Sequence, residues 1–256
     1  MKSDKKKLEK KNIWLRVIAV IVALLIWQIV AMCVKLPILL VTPVAVAKRL
    51  ATIWLEEGFW SSIAFSLVRI LGGFFLALIL GMIFAYFSYK SDVVKSLLWP
   101  YMATIKSVPV ASIVVICLLW LSSANLSIFI SFLIVLPVIY KNTLTGLESR
   151  DLELEDVAKV NGANKWQLIR FVYLPQVAPY LYSAISITAG MAWKAGIAAE
   201  IIGTPKGSIG QMLYLSKIYL DTDDMLAWTV VLVLLSIICE KLILLFWKKV
   251  ICRGIS

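Results

Sequence analysis

Four ionisable side chains, Arg69, Lys106, Lys194 and Glu200, fall inside long apolar runs of this chain. Charge in hydrocarbon is costly, so each is first a candidate for function. At 1.5 Å per helical residue, Arg69 lies roughly 12 Å into its run and Lys106 is similarly deep from the opposite side. Lys194 falls in the outer half of a later run, with Glu200 near its exit. A net positive lining of a passage would lower the barrier to an anion. Trp193 and the small residues Ala192, Ala195 and Gly196 flank Lys194 and could leave room for a solute. The competing reading stays open: Arg69 and Lys106 snorkel or bond to neighbouring carbonyls, and Lys194 is offset by Glu200 or another carboxylate.

Other chemistries find little support. The chain has no histidine, which removes the commonest metal ligand and neutral-pH proton carrier. Its four cysteines, Cys33, Cys117, Cys239 and Cys252, are far apart and form no Cys-x-x-Cys pair, so they read as packing residues. A membrane enzyme would need clustered carboxylates, a metal set or a nucleophile with its base. Gly203-Thr204-Pro205-Lys206-Gly207-Ser208 lacks the order of a phosphate loop, so nucleotide is expected on a partner.

The elements that must position these residues are membrane helices. A chain of 256 residues that is 61% hydrophobic and 16% charged cannot hide its apolar surface in one soluble core. About 20 apolar residues cross the hydrocarbon, and six candidates stand out, at about 13 to 34, 61 to 88, 98 to 121, 125 to 147, 178 to 200 and 225 to 247. The organisation expected is a basic cytoplasmic N-terminus over 1–12, a transmembrane domain over 13–247 and a cytoplasmic C-terminus over 248–256. The first run is too long for the apolar stretch of a signal peptide and has no small-x-small exit. Val30-Ala31-Met32-Cys33 is a poor lipoprotein site, because Met32 stands where a small residue is expected.

The +11 net charge is informative through its placement. With the N-terminus inside, the cytoplasmic segments hold Lys2, Lys5, Lys6, Lys7, Lys10, Lys11, Lys90, Lys95, Lys141, Arg150, Lys159, Lys165, Arg170, Lys248, Lys249 and Arg253. The outer segments hold only Lys35, Lys48, Arg49, Lys206 and Lys217. The positive-inside rule then places both termini in the cytoplasm. This basic balance points to membrane topology and not to nucleic acid.

Local signals fill in the frame. Thr42 is a helix cap with Pro43 at the first helical position, opening a short amphipathic helix from Val44 to Glu57 after Pro37. Gly72, Gly73 and Gly81 allow close helix approach in lipid. Pro100, Pro109 and Pro137 bend or kink their spans. The short link from Ser122 to Asn125 makes the third and fourth spans antiparallel neighbours.

A polar cytoplasmic loop over about 148–177 has its own punctuation. Asp151 caps a helix on which Leu154, Val157 and Ala158 form one stripe, while Glu153, Glu155 and Lys159 face away. Gly162 suits the left-handed position that ends it. Asn164 caps the next helix with Gln167 in capping-box spacing. Leu174-Pro175 is expected to stop that helix, and Pro179 starts the climb into the fifth span. An apolar stripe exposed to cytosol needs a partner. Because Glu153, Glu155 and Asp156 would be repelled by an anionic leaflet, a protein groove suits it better.

Asp156-Val157-Ala158, three residues, Gly162, nine residues, Val172, any, Leu174-Pro175 resembles the loop by which permease subunits of bacterial ATP-driven importers grip their ATPase. The family form is Glu-Ala-Ala, three residues, Gly, nine residues, Ile, any, Leu-Pro. The spacing is complete, with Asp156, Val157 and Val172 replacing Glu, Ala and Ile. Ser66-Leu67-Val68-Arg69 with Gly73, Pro109 with Ala111, and Ala199-Glu200 with Gly203, Gly207 and Gly210 resemble the nitrate, sulfonate and taurine import group. The likeness covers roughly residues 37 to 247.

This resemblance implies an all-α, six-span permease of the type I importer fold in the bacterial cytoplasmic membrane. Leu154, Asp156, Val157, Ala158, Gly162, Leu174 and Pro175 would couple it to the ATPase. Arg69, Lys106, Pro109, Trp193, Lys194 and Glu200 are the pathway candidates. The implied partners are a second permease subunit, two ATPases that bind ATP and magnesium, and an extracytoplasmic binding protein; no cofactor is expected in this chain. The solute would be small and polar or anionic, or else a vitamin or precursor such as a thiamine pyrimidine or riboflavin. A secondary transporter is the rival from another class, and it would need a coupling-ion site or broken helices at the midplane.

Overall fold

The computed structural model describes the backbone of residues 2–36 and 38–255 and the side chains of 14–15, 17–36 and 38–249. The side chains of the six N-terminal lysines, Pro37, Cys252 and Arg253 therefore lie outside the described residues. Every regular element described is helical: α1 (Lys2–Val34), α2 (Pro43–Ile53), α3 (Phe59–Lys90), α4 (Asp92–Ser107), α5 (Val110–Cys117), α6 (Ser123–Glu148), α7 (Leu152–Val160), α8 (Lys165–Gln167), a π-helical stretch (Leu168–Tyr173), α9 (Leu174–Gly203), α10 (Ile209–Ile218) and α11 (Thr222–Ile255).

Five helical segments, Val17–Val34, Phe59–Lys90, Ser123–Glu148, Lys165–Gly203 and Thr222–Lys249, are long and apolar enough to cross a membrane. The third expected span differs. Residues 98 to 121 do not form one rod: α4 and α5 meet at a bend of 104°. Val108, between them, is extended at φ −82° and ψ 132°. The ring of Pro109 clashes with a helical conformation at the preceding residue, so the helix ends there. The link to α6 accordingly falls at 118–122, slightly earlier than expected.

The chain divides into two compact units, residues 1–59 with 212–230, and residues 60–211 with 231–256. In the first, Thr42 caps α2 by accepting from the Ala45 N–H at 3.3 Å, with Pro43 following as expected. Arg49 binds Asp224 at 2.6 Å and also pairs with Glu56. Asp224 accepts from the Ser216 hydroxyl at 2.7 Å, and Phe59 packs on Trp228 with ring centres 5.1 Å apart.

The second unit is built on α3, α6 and α9. A Cβ on Gly73 would stand 2.2 Å from the Ile128 carbonyl oxygen, so the backbones of α3 and α6 touch only because that atom is missing. A Cβ on Gly81 would stand 2.8 Å from the Ile139 side chain, a milder clash, whereas Gly72 meets nothing and is not part of the contact. Between α6 and α9 the buried Ser131 hydroxyl donates to the Ala192 carbonyl at 3.1 Å. Leu126, Ile130, Ala195 and Ala199 pack there with Val114 and Cys117 of α5.

Candidate functional site: the α7 loop and the intramembrane charges

Helix α7 is closed at both ends by its own residues. The Asp151 carboxylate accepts from the N–H groups of Glu153 and Leu154 at 2.9 and 3.3 Å, and the Asp151 N–H donates to the Gln176 side chain at 2.7 Å. At the far end Gly162 has φ +77°, its N–H donates to the Lys159 carbonyl, and the Ala163 N–H donates to the Ala158 carbonyl. This is a complete left-handed helix stop. The Asn164 and Gln167 side chains then satisfy each other's backbone N–H groups at 2.9 and 2.8 Å, the reciprocal cap expected there.

Beyond that cap the structure corrects the expected stop at Leu174-Pro175. The helix widens into the π-helical stretch, where the Leu174 N–H donates to the Ile169 carbonyl, and runs directly into α9. Pro175 lies in the first turn of α9. Its missing N–H falls where the change of register already interrupts the α-helical ladder, so the proline costs little.

The face that α7 turns toward its own chain is also a correction. Glu155, expected to face away, points inward with only 12% of its side chain exposed. It accepts from the Tyr173 hydroxyl at 2.7 Å, pairs with Lys159 at 2.9 Å and lies 3.6 Å from Arg150. Arg150, expected only as a cytoplasmic charge, is the centre of this cluster. Its guanidinium donates to the Tyr89 hydroxyl at 2.6 Å and to the Leu147 carbonyl at 3.1 Å, and stacks 3.9 Å from the Tyr173 ring centre. The end of α3, the end of α6, α7 and the π-helical stretch are thus tied through one buried cation. The Lys159 ammonium first, and then the Tyr173 hydroxyl, hold the Glu155 carboxyl below the usual carboxylate range.

With Glu155 inward, the stripe faces out. Leu154 and Val157 are exposed, Ala158 is half-buried, and Val160 is 88% and Trp166 67% exposed nearby. Asp156 is exposed and meets only Lys159, at 3.5 Å. Val172 is buried, while Leu174 and Pro175 are half-buried at the root of the loop. Helix α7 is thus capped, anchored to its own chain through Glu155, and carries its apolar stripe on the exposed face. Residues 73–256 match the binding-protein-dependent transport system inner membrane component family.

The chain belongs to that family. It is 27% identical over 220 residues to a taurine transport system permease protein of Escherichia coli K12, covering 84% of this chain and 80% of the relative. It is 25% identical over 236 residues to a putative aliphatic sulfonates transport permease protein of Bacillus subtilis, with coverage of 91% and 84%. It is also 26% identical over 234 residues to a formylaminopyrimidine transport permease protein of Halalkalibacterium halodurans, with coverage of 88% and 92%. The chain is therefore an ABC importer permease, a multi-pass transport subunit of a class that works with ATPases and binding proteins.

Among the described residues, no two of the four intramembrane charges form an ion pair within 4 Å. Arg69 donates to the Ala124 carbonyl at 2.7 Å and stacks 3.6 Å from the Phe65 ring, which ties α3 to the start of α6. Glu200 is fully buried and does not offset Lys194. One of its oxygens accepts from the Ser66 hydroxyl at 2.7 Å and the Gly210 N–H at 3.2 Å, while Ser66 in turn accepts from the Ile209 N–H at 3.0 Å. Glu200 thereby fastens the start of α10 to α3 and α9. Trp193 is in the core at 1% exposure, and Ala192, Ala195 and Gly196 are buried with it, so these residues serve packing. Lys194, Lys106 and Pro109 are exposed, and neither lysine has an acidic partner within 4 Å among the described residues.

The sequence patterns gave Arg150, Tyr89, Tyr173 and Glu155 no site role, and Ser66 entered only within the resemblance and not as the partner of Glu200. The available signal was weak: a tyrosine inside the loop motif, and an arginine immediately before the Asp151 cap.

Proposed function

We propose that this permease admits a small anionic or strongly polar solute, with a sulfonate such as taurine as the first candidate. An extracytoplasmic binding protein delivers it, and two partner ATPases, which hold the ATP and magnesium, drive a dimer of the permease between inward-facing and outward-facing forms. What supports the solute class is the pair of relatives named for taurine and aliphatic sulfonates. What supports the coupling role is the outward stripe of α7, where Leu154, Val157, Ala158 and Asp156 would meet a cleft of the ATPase. A second reading, a pyrimidine vitamin precursor, is favoured by the formylaminopyrimidine relative, which is covered over 92% of its length.

The deciding experiment measures binding of taurine, other sulfonates and formylaminopyrimidine to the cognate extracytoplasmic binding protein. ATP-driven uptake of the bound compound into proteoliposomes holding the full importer follows. Sulfonate binding with strictly ATP-dependent uptake is the expected result. Binding of the pyrimidine alone replaces the first reading with the second, and uptake without the ATPases sinks both.

Both termini and α7 are cytoplasmic on this reading, as lysine placement argues. In a cysteine-free background, single cysteines at Lys48 and Lys206 should react with an impermeant thiol reagent in intact cells. One at Lys165 should react only after the membrane is opened. Labelling of position 165 in intact cells would overturn the orientation.

Lys194, like Lys106, is a pathway candidate, since an exposed ammonium without a carboxylate partner among the described residues is poorly suited to face lipid. Lys194→Met keeps much of the length and removes the charge. Its uptake should fall roughly tenfold, the scale of one lost charge contact, while assembly with the ATPase persists. Unchanged uptake rules out a required charge, and lost assembly supports a structural role.

A further inference from the structure

A cavity of about 650 Å³ opens at the root of the α7 loop, between the end of α3, the end of α6 and the start of α9. Its charged groups are Lys90, Lys165, Arg150 and Glu155, three cations against one carboxylate. Arg150 and Glu155 are committed to each other and to the tyrosines, but Lys90 and Lys165 are exposed and have no acidic partner among the described residues. The free charge of the lining is therefore positive.

The cavity changes character with depth. Tyr86 and Tyr89 join the lysines at the mouth, as amphipathic rings do at a membrane surface. Met82 lies eight residues before Lys90, so the wall runs roughly 12 Å along α3 into the apolar span. On α9 the wall reaches Leu181. Exposed lysines beside an apolar wall suit one molecule with an anionic head and a hydrocarbon tail. The volume is that of an ordinary small-ligand site, and basic pockets between membrane helices are where anionic lipid headgroups settle.

The geometry points to a binding site for an anionic phospholipid, with its phosphate between Lys90 and Lys165 and an acyl chain along Met82 and Leu181. The site goes beyond the solute reading, and only the leaflet it serves rests on the orientation proposed above. A lipid bound there touches the same tyrosines and arginine that anchor α7, so its occupancy would set how firmly that helix is held.

The test uses the purified full chain without ATPase or solute, so it is independent of the transport reading. Native mass spectrometry after incubation with phosphatidylglycerol or phosphatidylcholine should show retention of the anionic lipid in clear excess. Lys90→Gln with Lys165→Gln should lower that retention roughly tenfold or more, as two surface lysines beside an anionic lipid predict. Lys90→Arg with Lys165→Arg should keep it, and so should Lys248→Gln with Lys249→Gln. In the unaltered chain, a photoactivatable phosphatidylglycerol should cross-link within residues 82–90 and 165–181. Equal retention of phosphatidylcholine, undiminished retention in the Lys90 and Lys165 double variant, equal loss in the Lys248 and Lys249 variant, or cross-links only elsewhere would each overturn the site. Displacement of the lipid by inorganic phosphate alone would do so too, by making it a phosphate site.

Discussion

Arg150→Met should leave the permease in the membrane and abolish most ATP-driven uptake. Arg150 is 91% buried, and its guanidinium holds Tyr89, the Leu147 carbonyl, the Tyr173 ring and Glu155 at once. Methionine fills much of the stem but makes none of these polar contacts. Glu155 keeps Lys159 and Tyr173, which prevents the full penalty of an abandoned buried charge. Charge-assisted bonds of this kind contribute about 1.5–3 kcal/mol. The loss would weaken the anchored position of α7 by about 10- to 150-fold. A push on α7 would then rotate the loop without moving α3 and α6. Basal ATPase activity and co-purification of the ATPase should persist while uptake and stimulation by the binding protein both fall, a split that simple unfolding would not produce. Arg150→Lys should rescue only partly, because an ammonium cannot stack on Tyr173 and hold the same fork of partners. Full uptake in Arg150→Met would remove Arg150 from the coupling path.

The protonation of Glu155 sets the pH range of this anchor. Its carboxyl is held below the ordinary range, mainly by Lys159. The stability it contributes is therefore present above the ordinary carboxylate value and is lost only as pH falls through the lowered one. Exposure of the Lys159 partner keeps the effect modest, so the anchor is intact across neutral pH.

Features with a local cause were legible in the sequence. The caps at Thr42, Asp151 and Asn164 and the stop at Gly162 each depend on a few neighbouring residues, and the structure has all of them. Gly73 and Gly81 were readable because helix contact in lipid depends on small residues. Features set by distant partners were not. Glu155 turns inward because Arg150 and Tyr173 stand five and eighteen residues away on other elements. The outward stripe of Leu154 and Val157 was expected from the sequence; the inward turn of Glu155 was not. Glu200 finds Ser66, 134 residues away, and so becomes a clasp where position alone suggested a pathway charge. The bend before Pro109 was half-visible, since a proline marks a break but its angle is set by packing. Pro175 misled for the opposite reason: a widened turn absorbed it.

Gly162 provides the sharpest separation of geometry from sterics. No atom lies within 4 Å of the place where its Cβ would stand, so a side chain there meets open space. The only obstacle is φ of +77°, which L residues with a branched Cβ rarely adopt. The cost is about 1–2 kcal/mol for an ordinary residue. It is carried entirely by the turn that sets the angle between α7 and the helix after Asn164. Uptake should therefore rank by backbone tolerance and not by size: Gly162→Asn close to the parent, Gly162→Ala reduced, and Gly162→Val lowest with uptake nearly lost. All three should reach the membrane at parental levels, because the residue is outside every packed core. ATPase co-purification should fall in the same order, since a misdirected loop no longer presents Leu154 and Val157 to the cleft. If alanine and valine instead matched asparagine, the left-handed turn would be dispensable and the link between α7 and α9 would have to be carried by the Arg150 cluster alone.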